Sequence, residues 1–164
     1  MAWERIGYEV LGSAAASISI SVPTPYDFYR CTFYIVNDAN VKAGYLRFNA
    51  DSGANYSYQQ IYGQAASVGG GRTTGATQIN PINIALEASE TANFTLIVAK
   101  PAAGVKAQVV SQAGVETTAP GIGLSLIGGE WNNTAAEITS VALVASSNNF
   151  DTGSSLLLEG LSLS

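Results

Sequence analysis

The five residues ISISV, Ile18 to Val22, alternate apolar and polar without exception. A side-chain repeat of two is that of a strand with one face in a core and one in water. Read outward from there, the same period governs most of the chain. It recurs in WERIGYEVL near the start, then in GYLRFN (Gly44 to Asn49), YSYQQIYG (Tyr56 to Gly63), INPINIAL (Ile79 to Leu86), NFTLIVAK (Asn93 to Lys100) and VKAQVVS (Val105 to Ser111). It returns in IGLSLIGGEW (Ile122 to Trp131), EITSVALVA (Glu137 to Ala145) and SSLLLEGLSL (Ser154 to Leu163). The run Phe28 to Val36 is apolar at both parities, which predicts a strand covered on both faces or one whose outer face meets another subunit. That makes about ten strands, with turn residues every 8 to 12 positions or so, and no segment has helical periodicity.

The expected fold is therefore all-β, a jelly-roll sandwich of two antiparallel sheets. An immunoglobulin-type sandwich would be shorter and would show a Cys, Trp, Cys spacing that is absent. At 164 residues the chain has the length of one domain, residues 1–164, able to remove roughly 70% of its unfolded surface from water without a disulfide. Residues 1–12 form a short N-terminal arm available to assembly. VPTPYD, Val22 to Asp27, stiffens a corner with two prolines. The stretch Ala65 to Thr77, with four glycines and no apolar face, reads as an irregular surface loop.

Charge removes whole classes of function. Seven basic residues against twelve acidic ones give a net charge of −5, and the basic ones are scattered singly. No patch offers to neutralise a row of phosphates, so nucleic acid is not an expected partner. The absence of histidine excludes Ser-His-Asp and Cys-His catalysis and His-ligated zinc. The single cysteine, Cys31, lies inside FYRCTFYIV and reads as a small buried hydrophobe. The opening MAWERIGYEV lacks the pattern of a signal peptide and no later run approaches a membrane span, so the expected site of synthesis is a cytoplasm, with no membrane partner. The twelve acids are spread one per turn or strand end, with no pair marked for glycoside hydrolysis. No catalytic residue, metal ligand or cofactor site is expected.

One polar block stands out, LRFNADSGANYSY, Leu46 to Tyr58. Its alternate Asn49, Asp51, Gly53 and Asn55 faintly resemble a calcium loop, but calcium wants several carboxylates and the block supplies one. The better reading is a self-closing turn. Asn and Asp side chains bond nearby backbone amides, Gly53 supplies a positive φ, and Arg47 braces the loop by reaching Asp51 or a neighbouring carboxylate. Tyr56, Tyr58 and Tyr62 share one parity and are candidate glycan contacts, because aromatic faces stack on sugars; packing on a neighbouring strand is the plainer role.

Lined up together, these segments resemble a group of tailed-bacteriophage virion proteins over nearly the full chain. The likeness rests on Arg47, Phe48, Asn49, Asp51, Gly53, Asn55 and Tyr56, and on the later Phe150, Gly153, Ser154 and Leu156 to Leu158. The resemblance implies a jelly-roll module on a virus particle, usually trimeric. Such modules occur on capsid surfaces as decoration or cement proteins, and at tail-fibre tips where they meet host glycans. A module that begins almost at Met1, without a shaft, suits addition to an assembled shell. The expected function is thus a trimeric capsid decoration protein, made in the host cytoplasm and located on the virion, with itself and a capsid protein as partners. A glycan-binding fibre tip and a subunit of an extracellular filament are the alternatives. Candidate interface residues are Trp3, Ile6 and Tyr8 in the arm and Tyr29, Phe33 and Tyr34 in the doubly apolar strand, since aromatics favour interface cores. Trp3 reads equally well as an edge-packing residue.

Overall fold

A computed structural model describes residues 2–38, 44–64, 66–82, 90–100, 103–117 and 121–163. Among them the chain forms eleven strands and no helix. These are β1 (Glu4–Val10), β2 (Ser17–Ser21), β3 (Phe28–Val36), β4 (Gly44–Phe48), β5 (Tyr56–Gln64), β6 (Ser67–Ala76), β7 (Thr91–Ala99), β8 (Ala107–Thr117), β9 (Gly121–Trp131), β10 (Ser140–Ala145) and β11 (Ser155–Leu161). They make two antiparallel sheets, a large one of eight strands in the order β1-β11-β3-β7-β8-β9-β5-β6 and a small one of three in the order β2-β10-β4.

The core lies between these layers, and alternation fills it. In β2 the side chains of Ile18 and Ile20 are buried while Ser17, Ser19 and Ser21 face water. Val141 and Leu143 of β10, with Leu46 and Phe48 of β4, complete the small sheet's apolar face. From the large sheet β3 contributes Tyr29, Cys31, Phe33 and Ile35, and its neighbours β11 and β7 contribute Leu156, Leu158, Phe94, Leu96 and Val98. Phe33 pairs directly with Phe94, and their rings stack with centroids 4.7 Å apart. Such a pair adds about 0.5–1.5 kcal/mol to the burial itself.

Three strands cannot cover eight, and part of the difference is made up by the segment after β6. Ile79 exchanges backbone hydrogen bonds with Leu46, its amide donating at 3.1 Å and its carbonyl accepting at 2.8 Å. Ile79, Pro81 and Ile82 are buried beside that bridge. The strand expected over Ile79 to Leu86 is thus a single bridge at its start, and positions from 83 on lie outside the described residues.

The expected loop at Ala65 to Thr77 is instead β6, paired antiparallel with β5 at the edge of the large sheet. Its glycines have a packing use. A Cβ on Gly69 would lie 2.6 Å from the Tyr62 ring, so the bare backbone lets that ring lie across it. Gly160 does the same for Tyr26 at the other end of the sheet. The aromatic replaces the side chain that the glycine lacks.

Cys31 sits at the centre of this core and burial pushes its thiol pKa far up. Thiolate is the reactive form. Native protein should therefore react with a maleimide or disulfide reagent about a thousandfold or more slower than in urea, following global opening. Rapid labelling in native buffer would show that the core opens locally at β3.

Candidate functional site

The polar block between β4 and β5 folds as a hub on which two layers meet. Phe48 ends β4, and the next two residues, Asn49 and Ala50, take left-handed backbone angles, φ 55° and 54°. Asn tolerates this region because its short polar side chain finds local partners. Here Asn49 Oδ1 accepts the amides of Thr139 (2.7 Å) and Ser140 (3.1 Å), and its Nδ2 donates to the Glu137 carbonyl at 2.6 Å. One side chain thus serves the approach to β10 as an extra strand partner. The positive φ expected at Gly53 falls on Asn49 and Ala50 instead. Gly53 is needed for close approach: a Cβ there would lie 2.9 Å from Asn55 Nδ2 and 3.1 Å from Asp51 Oδ1.

Asp51 is the centre of the hub. Its Oδ1 accepts the Gly53 amide at 2.8 Å, and its Oδ2 accepts Asn55 Nδ2 at 2.9 Å and the indole Nε1 of Trp131 at 2.8 Å. Partial burial pushes the Asp51 pKa up, but hydrogen bonds from Trp131, Gly53, Asn55 and Asn133 outweigh it and hold the carboxyl below its ordinary value. Donors crowd both oxygens, the reverse of what a cation would require of its ligands. Among the described residues no group of three His, Cys, Asp or Glu side chains comes together. Contrary to the sequence expectation, Arg47 does not reach Asp51; its Nη2 donates to Gln78 Oε1 at 2.6 Å. The Trp131 indole takes the place at Asp51 that the sequence assigned to Arg47.

Beneath the hub the tyrosines separate. Tyr56 is fully buried, its hydroxyl accepting the Phe48 amide at 3.1 Å and donating to the Asp51 carbonyl at 3.2 Å. Burial pushes its pKa up to about 12. Tyr56 therefore has no face to offer a sugar. Tyr58 and Tyr62, on the same inward parity of β5, are half-buried. Trp131 fills the space beside Phe48, ring centroids 5.5 Å apart, and the buried Lys100 ammonium lies 6.0 Å from its ring centroid on a bond to the Val105 carbonyl of 2.8 Å.

The second block, Phe150 to Leu158, is equally structural. Buried Phe150 exchanges backbone bonds of 2.9 Å with Ala15 in both directions. Gly153 takes φ 88° and donates to the Leu11 carbonyl, and the buried Ser154 hydroxyl accepts from the Val36 amide and donates to its carbonyl. These residues tie the start of β11 to β3 and to the turn after β1.

The interface candidates divide by parity. Tyr29 and Phe33 point inward and are fully buried, whereas Tyr34 points outward and is exposed. Alternation forbids all three from sharing one surface, so Tyr29 and Phe33 are core residues. In the arm, which is strand β1 paired with β11, Tyr8 is exposed and Ile6 packs against the core. Trp3 is half-buried under the Arg30 guanidinium, 4.9 Å from its ring centroid, and Arg30 is held bidentate by Glu159 at 2.6 and 2.8 Å.

Sequence reasoning missed an exposed apolar surface. On the outward face of the large sheet stand Ile97, Val110, Ile122, Leu124, Leu126, Ile61 and Val68, on β7, β8, β9, β5 and β6. The signal was parity counted from Trp131. Stepping back by two from that inward indole gives Gly129, Ile127, Ser125 and Gly123, which leaves Leu126, Leu124 and Ile122 facing out. Beside them Gly128 floors a shallow depression of about 440 Å³ lined by Ser57, Arg72, Gln108, Val110 and Glu130. Comparison with protein-family models, curated proteins and solved structures finds no match to this chain.

Asp51→Asn should lower stability near neutral pH by about 1.5–3 kcal/mol, the range for hydrogen bonds to a charged group. Because the folded-state pKa lies below the ordinary value, the ionised carboxylate stabilises the fold above that value, and the contribution is lost as pH falls through the folded pKa. Urea unfolding from about pH 7 down to about pH 2 should show the two proteins converging in acid. A gap that stays constant with pH would mean that the charge contributes nothing.

Proposed function

We propose that the protein is a structural virion protein: a homotrimeric decoration, or cement, protein of jelly-roll topology that binds the outer surface of a tailed-phage head and stabilises it. The observation that carries this reading is the outward face of the large sheet, broad, poor in charge and set with bare aliphatic side chains. A face of that kind gains free energy by covering itself with protein. The sequence resemblance adds support, and the polar blocks that carry it are spent on holding the fold, which suits a module whose task is to be rigid. A trimer seated over a threefold site binds through three contacts, the second and third of them intramolecular, so that avidity can exceed each single grip by about 10² to 10⁴. Its partners on this reading are itself and the major capsid protein; it is made in the host cytoplasm and carried on the capsid surface.

One observation favours a second reading, a glycan-binding fibre-tip module. The depression over Gly128 is lined by groups that could grip sugar hydroxyls, Ser57, Arg72, Gln108 and Glu130, with Tyr58 at its margin. Glycan-array signals that vanish with Arg72→Ala would promote it over the first.

The decoration reading is tested by adding purified protein to undecorated heads and following release of packaged DNA on heating or osmotic shock. Saturable binding with a raised release temperature is expected. Binding too weak to survive sedimentation, with no gain in resistance, would overturn it.

A further inference from the structure

The face just described has a fine structure that points to its occupant. Leu124 on β9 is flanked across the sheet by Gly114 of β8 and Gly63 of β5. Ile61 of β5 pairs with Leu126 on one side and Gly70 of β6 on the other, and Val110 of β8 pairs with Gly128. Cross-strand neighbours normally shield one another. Here glycines leave the aliphatic side chains bare, as knobs beside hollows, and Val68, Ile122 and Leu124 are 82%, 79% and 63% exposed.

The extent of the patch suits a stable partner. These seven residues, backbone included, present on the order of 700 Å² to water, close to the ~800 Å² per partner of a standard interface. Charge narrows the choice. On these five strands the outward ionisable groups are Arg72, Glu116 and Glu130, and Glu130 is paired with Lys106 at 3.3 Å. Arg72 and Glu116 offset one another, so the face is neutral on a chain whose net charge is −5. Two copies carrying like net charge approach at least cost through a neutral face. A partner selected by charge would meet nothing there to select it.

We propose that this face, centred on Leu124, Leu126 and Ile61, is where copies of this chain bind one another. The proposal rests on the reading above only in taking self-association as part of assembly. Sedimentation of this 164-residue chain should give a multiple of 17.0 kDa at micromolar concentration. Leu124→Glu buries an uncompensated charge in the interface and should weaken association about a hundredfold or more. Ser19→Glu, on the water-facing side of β2, should leave the mass unchanged. Both sites are exposed, and thermal melts of the dilute variants should match the wild type.

A wild-type protein that stays monomeric at about 100 µM, or an oligomer that Leu124→Glu leaves intact, would overturn the proposal. The two readings fail separately. Self-association without protection of heads removes the decoration role and leaves this surface assigned. A monomer that protects heads, and loses that ability with Leu124→Glu, gives the face to the capsid and defeats the inference.

Discussion

The hydrogen bond from the Trp131 indole to the Asp51 carboxylate joins the two layers of the fold. Asp51 belongs to the turn that leaves the small sheet at β4 and enters the large one at β5, and Trp131 ends β9, the strand beside β5. A bulky indole buried without a partner for its N–H would carry a desolvation cost of about 1–3 kcal/mol. A carboxylate at that depth without donors would cost more. Each solves the other's problem, and the Asn49 side chain, bonded to residues 137–140, fastens the same turn to β10. Residues from β4, β5, β9 and the approach to β10 thus meet at one point.

Such a hub leaves the polar block between β4 and β5 with its side chains committed to one another and to the backbone. Its carboxylate is occupied by N–H donors, its tyrosine hydroxyl by backbone groups, and its amides by the strand they support. Among the described residues the fold leaves the outward row of Leu124, Leu126 and Ile61 exposed to water. On the proposed function, a sandwich presenting such an aliphatic face is a component for assembly.

Much of this was legible in the sequence, and the parts that were not share a cause. The strict alternation of ISISV, the breaks at Pro and Gly, and the self-closing character of NADSGAN each follow from local chemistry, and the structure has strands and a turn there. Parity relative to the core is different, because it depends on what lies across the sandwich. In IGLSLIGGEW an ordinary assignment sends Ile122, Leu124 and Leu126 inward, yet the inward positions there are Gly123, Ser125 and Ile127, and the inner face beside the first two is built of small residues such as Ser111 and Ala113. The glycine-rich β6 escaped for a similar reason. Nothing local makes SVGGGRTTGA a strand, and it becomes one through its register with β5 and the Tyr62 ring over Gly69. Arg47 and Asp51 looked like partners because they are near in sequence, while the true partner, Trp131, is 80 residues away.

On the proposed function the protein works through the outward face of its large sheet and not through its polar turn. Hydroxyl-radical footprinting, read by mass spectrometry at low and high protein concentration, tests it directly by reporting which side chains lose contact with water. The account predicts that oxidation of Ile61, Ile122, Leu124 and Leu126 falls as concentration rises while Trp3 and Tyr8 stay as reactive as in the dilute protein. Protection confined to Trp3, Tyr8 and Tyr34, with the leucines unchanged, would contradict it.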